Sequence, residues 1–196
     1  MLGYYKSTKN DNYEIIINND YEPDFSVVLD YFGESEKLAN MDAFDELTEQ
    51  EQDELVAYCD SKTDCGSGEY YGFIIEKTDE NGKRENVAEA WSIPTIKYLI
   101  VTMAKALWEV NHNLNLQDFF PNRDLNLLIV DYYKGEFRKF NKLLGVDYEN
   151  KQAKIYNTKG EVESTINIYD HAQRFLDYLL ADELEKVKQK YESKGE

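Results

Sequence analysis

Two kinds of hydrophobic pattern alternate along the chain. Short segments rich in β-branched and aromatic residues predict strands, and longer segments with apolar positions three and four residues apart predict helices. The predicted strands are 3–7, 13–18, 25–31, 70–76, 85–91, 125–133, 136–141, 152–157 and 162–168. The predicted helices are 49–59, 96–110 and 170–192, with a less regular helix or turn at 36–46.

Turn residues suggest how neighbouring strands pair. Asn81-Gly82 lies between strands 70–76 and 85–91 and is the dipeptide favoured in a tight hairpin. Strands 13–18 and 25–31 flank a polar segment containing Pro23, which predicts a second antiparallel hairpin. Segment 125–133 is apolar almost throughout, which is typical of a central strand.

The helical segments differ in how much of their surface is apolar. Thr48 and Glu51 have the spacing of a capping box and predict the start of the first helix. Segment 96–110 is apolar nearly all round and should be buried, whereas 170–192 carries one apolar stripe. Together the patterns predict an α+β fold: a mixed, mainly antiparallel sheet packed against a buried central helix and a C-terminal amphipathic helix. We expect a single domain over 1–196 with an acidic helical insertion at about 34–66.

Negative charge is concentrated in the first half of the chain. Residues 1–100 contain 8 Lys and Arg against 23 Asp and Glu, a net charge of −15, and residues 101–196 contain 14 against 16, a net charge of −2. The segment 134–159 reverses the sign, with 7 bases and 3 acids. Because binding to a phosphate backbone needs a positive surface, this balance argues against direct binding of nucleic acid.

The segment 41–65 is the most acidic part of the sequence. It contains nine Asp and Glu residues, and Lys62 is its one base. If 42–60 is helical, five of these acids lie within about 60° of one another on the side opposite the apolar positions. Such a face aids solubility, binds a cationic partner or, as a third alternative, binds a metal ion through its carboxylates. The candidate partner-binding residues are Asp42, Asp45, Glu46, Glu49, Asp53, Glu54, Asp60 and Asp64.

Catalytic and cofactor motifs are missing from the sequence. It has no nucleophile elbow, no phosphate-binding glycine loop and no zinc-binding histidine pair on a helix. Cys59 and Cys65 lack a second ligand pair, so we predict no metal and no cofactor. The pair could be two thiols or a disulfide. Asp131, at the end of the predicted strand 125–133, and Glu136 after it leave a metal-dependent nuclease as an alternative.

No apolar run approaches the length of a membrane span, and the N-terminal residues lack an apolar signal core. We therefore expect a cytoplasmic protein with no membrane partner. In size, acidity and missing catalytic motifs the chain resembles phage- or plasmid-encoded inhibitors as a loose class, a resemblance in bulk properties that assigns no residues.

The sequence favours a non-enzymatic inhibitor that occupies the basic surface of a nuclease or another nucleic-acid-binding protein, with mimicry of nucleic acid as one version. Alternatives are an immunity protein or antitoxin for a cognate toxin, and the metal-dependent nuclease. The oligomeric state is not predicted.

Overall fold

The computed structural model describes residues 5–8, 12–34, 44, 47–119, 123–147, 150 and 152–192. It confirms an α+β fold. The chain divides into two compact units, one mainly of residues 12–100 and one mainly of residues 101–196. The single domain predicted for 1–196, with its insertion at about 34–66, stays a prediction, because compactness alone does not decide whether two units fold independently.

Seven strands and five α-helices are described. The strands are β1 (Tyr5–Thr8), β2 (Tyr13–Asp20), β3 (Tyr70–Thr78), β4 (Arg84–Ile93), β5 (Leu143–Asp147), β6 (Gln152–Tyr156) and β7 (Val162–Asn167). The helices are α1 (Phe25–Phe32), α2 (Glu49–Ser61), α3 (Ile96–Val110), α4 (Arg123–Lys139) and α5 (Ile168–Glu192). The strands form one sheet in the order β1-β2-β3-β4 and another in the order β5-β6-β7.

The first unit is built on the antiparallel strands β2, β3 and β4. The hairpin predicted at Asn81-Gly82 is confirmed: Gly82 has a φ of 79°, and Asp79 Oδ1 accepts the N–H groups of Asn81 and Lys83 at 2.8 Å each. A positive φ of this kind is available to glycine without steric cost. The turn therefore sets the register of β3 against β4.

The two faces of this sheet are chemically different. Ile15 and Ile75 are paired across β2 and β3 on the buried face and have no exposed surface. On the opposite face Glu14 and Glu76 are directly opposite one another. Arg84 separates the two like charges, since its Nη1 lies 2.8 Å from Glu14 and 3.1 Å from Glu76. Opposite-charge neighbours of this kind favour the pairing of strands.

Residues 25–31 were predicted as a strand and are a helix, so the predicted hairpin with 13–18 is wrong. Asp24 caps α1 by accepting the Ser26 N–H at 2.9 Å, and Gly33 ends it with a φ of 69°. The apolar residues of α1 recur at helical spacing, and Val28 and Leu29 are fully buried. β2 pairs with β3 instead.

A hydrogen-bond network centred on Ser92, at the end of β4, joins three elements of the first unit. Ser92 is 3% exposed and has a φ of 60°. Asp20 Oδ2, at the end of β2, accepts its N–H at 2.8 Å and its hydroxyl at 3.1 Å. The Ser92 hydroxyl oxygen in turn accepts the N–H of Asp24, the α1 cap, at 2.8 Å. These bonds hold an unfavourable backbone conformation in place.

The second unit contains residues 101–110 of α3, whose bounds match the predicted 96–110. Met103, Ala104 and Leu107 are buried on it, as expected of a helix that is apolar nearly all round. α5 begins two residues before the prediction, and Leu176 and Leu180 are buried on its apolar stripe. No helix in the described part of the chain combines the length and apolarity needed to cross a bilayer.

Residues 125–133 and 136–141 were predicted as strands, and both predictions are wrong. α4 runs through the first segment and into the second, and Asn141, with a φ of 56°, follows its end. A continuous apolar run does not by itself distinguish a buried strand from a buried helix. Val130 of α4 packs with Ala153 of the β5-β6-β7 sheet, whose strands β6 and β7 were predicted correctly.

Replacing Ser92 tests the Ser92 network. Ser92→Ala removes two hydroxyl hydrogen bonds and leaves a non-glycine residue at positive φ, so we expect a loss of about 1–2 kcal/mol in the free energy of unfolding. Ser92→Gly loses the same bonds but relieves the backbone, and should be less destabilised. Chemical denaturation measures both, with exposed Ser164→Ala as the control. An alanine variant as stable as the parent would contradict this role.

Glu183 of α5 should make stability depend on pH. Hydrogen bonds from Lys105 and Lys186, at 2.7 and 2.8 Å, lower the pKa of Glu183 from 4.5 to about 2. A carboxyl whose pKa falls on folding stabilises the protein above its unfolded pKa, and this contribution is lost as pH decreases from about 4.5 to about 2. For ion pairs as accessible as these, the contribution to the free energy of unfolding is about 1 kcal/mol or less.

The measurement is the melting temperature of the parent and of Glu183→Gln as a function of pH. The parent should be more stable near pH 7, and the two melting temperatures should converge as pH falls towards 2. Parallel curves over that range would show that these ion pairs do not stabilise the fold.

Candidate partner-binding site

The acidic helix α2 begins at the predicted capping box, which is confirmed. The Thr48 hydroxyl oxygen accepts the Glu51 N–H at 3.4 Å, and Glu51 Oε2 accepts the Thr48 N–H at 2.9 Å. Hydrogen bonds from the Thr48 hydroxyl and N–H lower the pKa of Glu51. Two otherwise unpaired N–H groups are satisfied, and the start of the helix is defined.

The inner face of α2 is held by an apolar cluster, which we call the Cys59 cluster. Cys59 is fully buried and packs with Val28 and Leu29 of α1 and with Tyr70 of β3. Leu55 and Tyr58 of α2 are partly buried against the same cluster. Since one side of α2 is fixed against these elements, the direction of the other side is fixed as well.

The outer face of α2 carries negative charge without compensation. Glu49, Asp53 and Glu54 are exposed, and α2 contains no Lys or Arg. Glu54 accepts a hydrogen bond from Gln50 Nε2 at 2.9 Å. Within the described part of the chain none of the three carboxylates is in an ion pair. We call Glu49, Asp53 and Glu54 the outer acids.

Lys62, the one base in the acidic segment, does not neutralise the outer acids. Its Nζ lies 2.5 Å from Glu34 Oε1, and it also lies 4.9 Å from the centre of the Phe32 ring and 4.5 Å from that of Tyr58. The Tyr58 hydroxyl donates a short hydrogen bond to the other Glu34 oxygen. The hydrogen bond with Glu34 raises the pKa of Lys62. The lysine thus stabilises the contact between α2 and the residues that follow α1.

Asp60 and Asp64 make hydrogen bonds within the fold. Asp60 Oδ1 accepts the Tyr70 hydroxyl at 2.8 Å, and Asp64 Oδ2 accepts the N–H of Ile96, the first residue of α3, at 2.7 Å. Burial, followed by the hydrogen bond with Asp60, raises the pKa of the Tyr70 hydroxyl, which therefore stays a donor. Of the eight candidate residues, Asp42, Asp45 and Glu46 lie outside the described residues.

Beside α2 lies a pocket that the sequence analysis did not predict. It has a volume of about 370 Å³ and is formed by the end of β2, the start of α1, one side of α2 and the segment before β3. We call it the α2 pocket. Its lining residues are Asn19, Asp20, Tyr21, Pro23, Phe25, Val56, Asp60, Gly68, Glu69 and Tyr70. Acidic residues alternate with Tyr, Pro and Phe at 20–25, but only the tertiary structure joins this segment to α2.

The metal-dependent alternative loses its structural premise. Asp131 and Glu136 lie on α4 rather than at a strand end, and Asp131 forms an ion pair of 3.1 Å with Lys134. Among the described residues no three His, Cys, Asp or Glu side chains come together as metal ligands. Cys59 is a buried thiol in the Cys59 cluster, and the side chain of Cys65 lies outside the described set.

Alanine variants separate the structural from the exposed acids. Asp64→Ala removes the acceptor of the Ile96 N–H at the start of α3 and should lower the free energy of unfolding by about 1 kcal/mol, as loss of a helix cap does. Asp64→Asn keeps an oxygen there and should be less affected. Exposed Glu49→Ala should stay within about 0.5 kcal/mol of the parent. Urea denaturation measures both variants. If Asp64→Ala and Glu49→Ala had the same free energy of unfolding, Asp64 would have no structural role that Glu49 lacks.

No protein-family model matches the chain, and neither does any curated protein or solved structure. A functional assignment therefore depends on the charge, exposure and packing of the side chains themselves. The uncompensated outer acids and the α2 pocket are the two features of the first unit on which it is based.

Proposed function

We propose that this protein is a non-enzymatic, cytoplasmic acidic binding protein that inhibits a nucleic-acid-handling protein by occupying its basic surface. It would act as a counter-defence inhibitor of the kind encoded by phages and plasmids. The observation that supports the proposal is the outer face of α2, where the exposed acids meet no base among the described residues. Inhibition by this route requires no catalytic group.

The arrangement of charge suits rapid association. The outer acids are carried on a helix fixed by the Cys59 cluster, so little backbone freedom is lost when a partner binds. Long-range attraction between opposite surfaces raises the rate of encounter and is screened over about 8 Å at physiological ionic strength. Binding should therefore be fast and strongly dependent on salt.

The distance between successive carboxylates determines how closely α2 can imitate a nucleic acid. Glu49 and Asp53 are four residues apart, about 6 Å along the helix axis. One strand of DNA presents a phosphate every 3.4 Å or so. α2 thus offers roughly half the charge density of a single strand. It can cover the part of a basic channel that contacts a few successive phosphates, and the protein would bind by charge and shape together.

The test is displacement of proteins from immobilised nucleic acid. Extract of the host cell in which the protein would act is bound to DNA or RNA resin, the purified protein is added, and released proteins are identified. The parent should release a defined nucleic-acid-binding protein, less so at high salt. Combined replacement Glu49→Gln, Asp53→Lys and Glu54→Lys should slow association with that protein at least about tenfold.

A matched control changes three exposed residues of α5: Asp170→Asn, Asp182→Lys and Glu185→Lys. It alters net charge by the same amount and should release the partner as the parent does. Thermal melts establish that both triple variants are folded. The proposal fails if the parent releases nothing, or if the α2 variant and the control act alike. Release of a toxin would identify the protein as its immunity protein.

A further inference from the structure

The α2 pocket has walls that suit a flat, partly apolar group. Phe25 and Tyr70 meet edge to face with ring centres 6.0 Å apart, and Pro23 and Val56 contribute aliphatic surface. Tyr21 is 79% exposed, which is high for an aromatic side chain beside a cavity. The volume of about 370 Å³ is near the lower end of the range for ligand pockets, which is about 300–1,000 Å³.

Two carboxylates of the pocket accept hydrogen bonds from uncharged groups of the fold. Asp20 accepts hydrogen bonds from the N–H and hydroxyl of Ser92, and Asp60 accepts one from the Tyr70 hydroxyl. All of these donors are neutral, and neither carboxylate is in an ion pair within the described part of the chain. Glu69 contributes a third carboxylate to the lining. The pocket is therefore electrostatically complementary to a cation.

The Asp60 carboxylate lies close to Gly68 at the pocket. A Cβ added to Gly68, which has a φ of 65°, would lie 3.0 Å from the Asp60 carboxylate. The absence of a side chain at position 68 thus gives the carboxylate room beside the pocket, and the Tyr70 hydrogen bond sets its direction. A carboxylate positioned in advance loses little freedom when a cation binds.

The pocket continues the outer face of α2. Residues three, four and seven positions apart lie on one side of a helix, so Asp53, Val56 and Asp60 form one line along α2, and Glu49 extends it. Val56 and Asp60 line the pocket, while Asp53 and Glu49 are exposed beyond it. A basic segment lying over the outer acids would therefore reach the pocket.

We infer that the α2 pocket receives an arginine side chain from the basic surface of the partner. This inference deepens the proposed function and rests on it for the identity of the partner. The aliphatic part of the arginine would pack on Pro23 and Val56, and its guanidinium would face the Tyr21 and Phe25 rings and pair with Asp60. Arginine is favoured over lysine because a planar guanidinium both stacks on rings and bonds carboxylates with two N–H groups.

The test measures binding of fluorescein-labelled nona-arginine and nona-lysine peptides at one ionic strength by fluorescence anisotropy. The parent should bind the arginine peptide at least about threefold more tightly. Asp60→Asn removes the charge with little change of shape and should weaken binding of the arginine peptide about tenfold. Tyr21→Ala, at a largely exposed position, should abolish the preference for arginine without affecting folding.

Asp30→Asn is the matched control, since Asp30 is exposed on α1 and does not line the pocket. It should bind both peptides as the parent does. The inference is overturned if the parent binds the two peptides equally, or if Asp60→Asn and Asp30→Asn behave alike while Tyr21→Ala keeps the preference.

The outcomes for the pocket and for the proposed function are separable. Suppose that the parent displaces proteins from nucleic acid and the α2 triple variant does not, while the Asp60 and Tyr21 variants act as the parent in both assays. The function then stands and the pocket inference is wrong. If the pocket variants lose the arginine preference but the parent displaces nothing, the pocket binds arginine and the proposed function is wrong.

Discussion

The packing of the Cys59 cluster determines which way the acidic helix faces. Burial of Cys59 against Val28, Leu29 and Tyr70 leaves α2 one orientation in which its apolar side is removed from water. The same packing places Val56 and Asp60 beside the turn between β2 and α1, where the α2 pocket forms. Both candidate binding features are consequences of one apolar contact, which itself carries no charge.

Three other acids of the first unit, Glu14, Glu34 and Glu76, are paired with bases, in contrast to the outer acids. Arg84 lies between Glu14 and Glu76, and Lys62 pairs with Glu34. Arg84 lies where two like charges, one of them on the buried Glu14, would otherwise oppose folding, and Lys62 neutralises the partly buried Glu34. Among the residues that the structure describes, no such cation accompanies the outer acids. Mutual repulsion of the outer acids lowers the stability of the helix by a small amount. The outer acids lie on the face of α2 that points away from the Cys59 cluster.

The structure shows where local sequence patterns were sufficient. The capping box at Thr48, the Asn81-Gly82 turn and the apolar helix 96–110 were predicted correctly because each depends on residues that are close in sequence. The strand prediction for 25–31 was wrong because aromatic and β-branched residues are typical of strands. The spacing of these residues, the Asp24 cap and Gly33 are those of a helix. The strand prediction for 125–133 was wrong because an apolar run is compatible with either a buried strand or a buried helix.

The sequence alone determined the α+β class, the excess of acids in residues 1–100 and the presence of an amphipathic acidic helix, because composition and short-range periodicity carry that information. Only the tertiary structure decided which acids are turned outward. Asp60 and Asp64 bond to groups 10 and 32 residues away. Glu49, Asp53 and Glu54 make no such distant bond within the described part of the chain. The α2 pocket was also beyond sequence reasoning, since its lining comes from separate segments that only packing brings together.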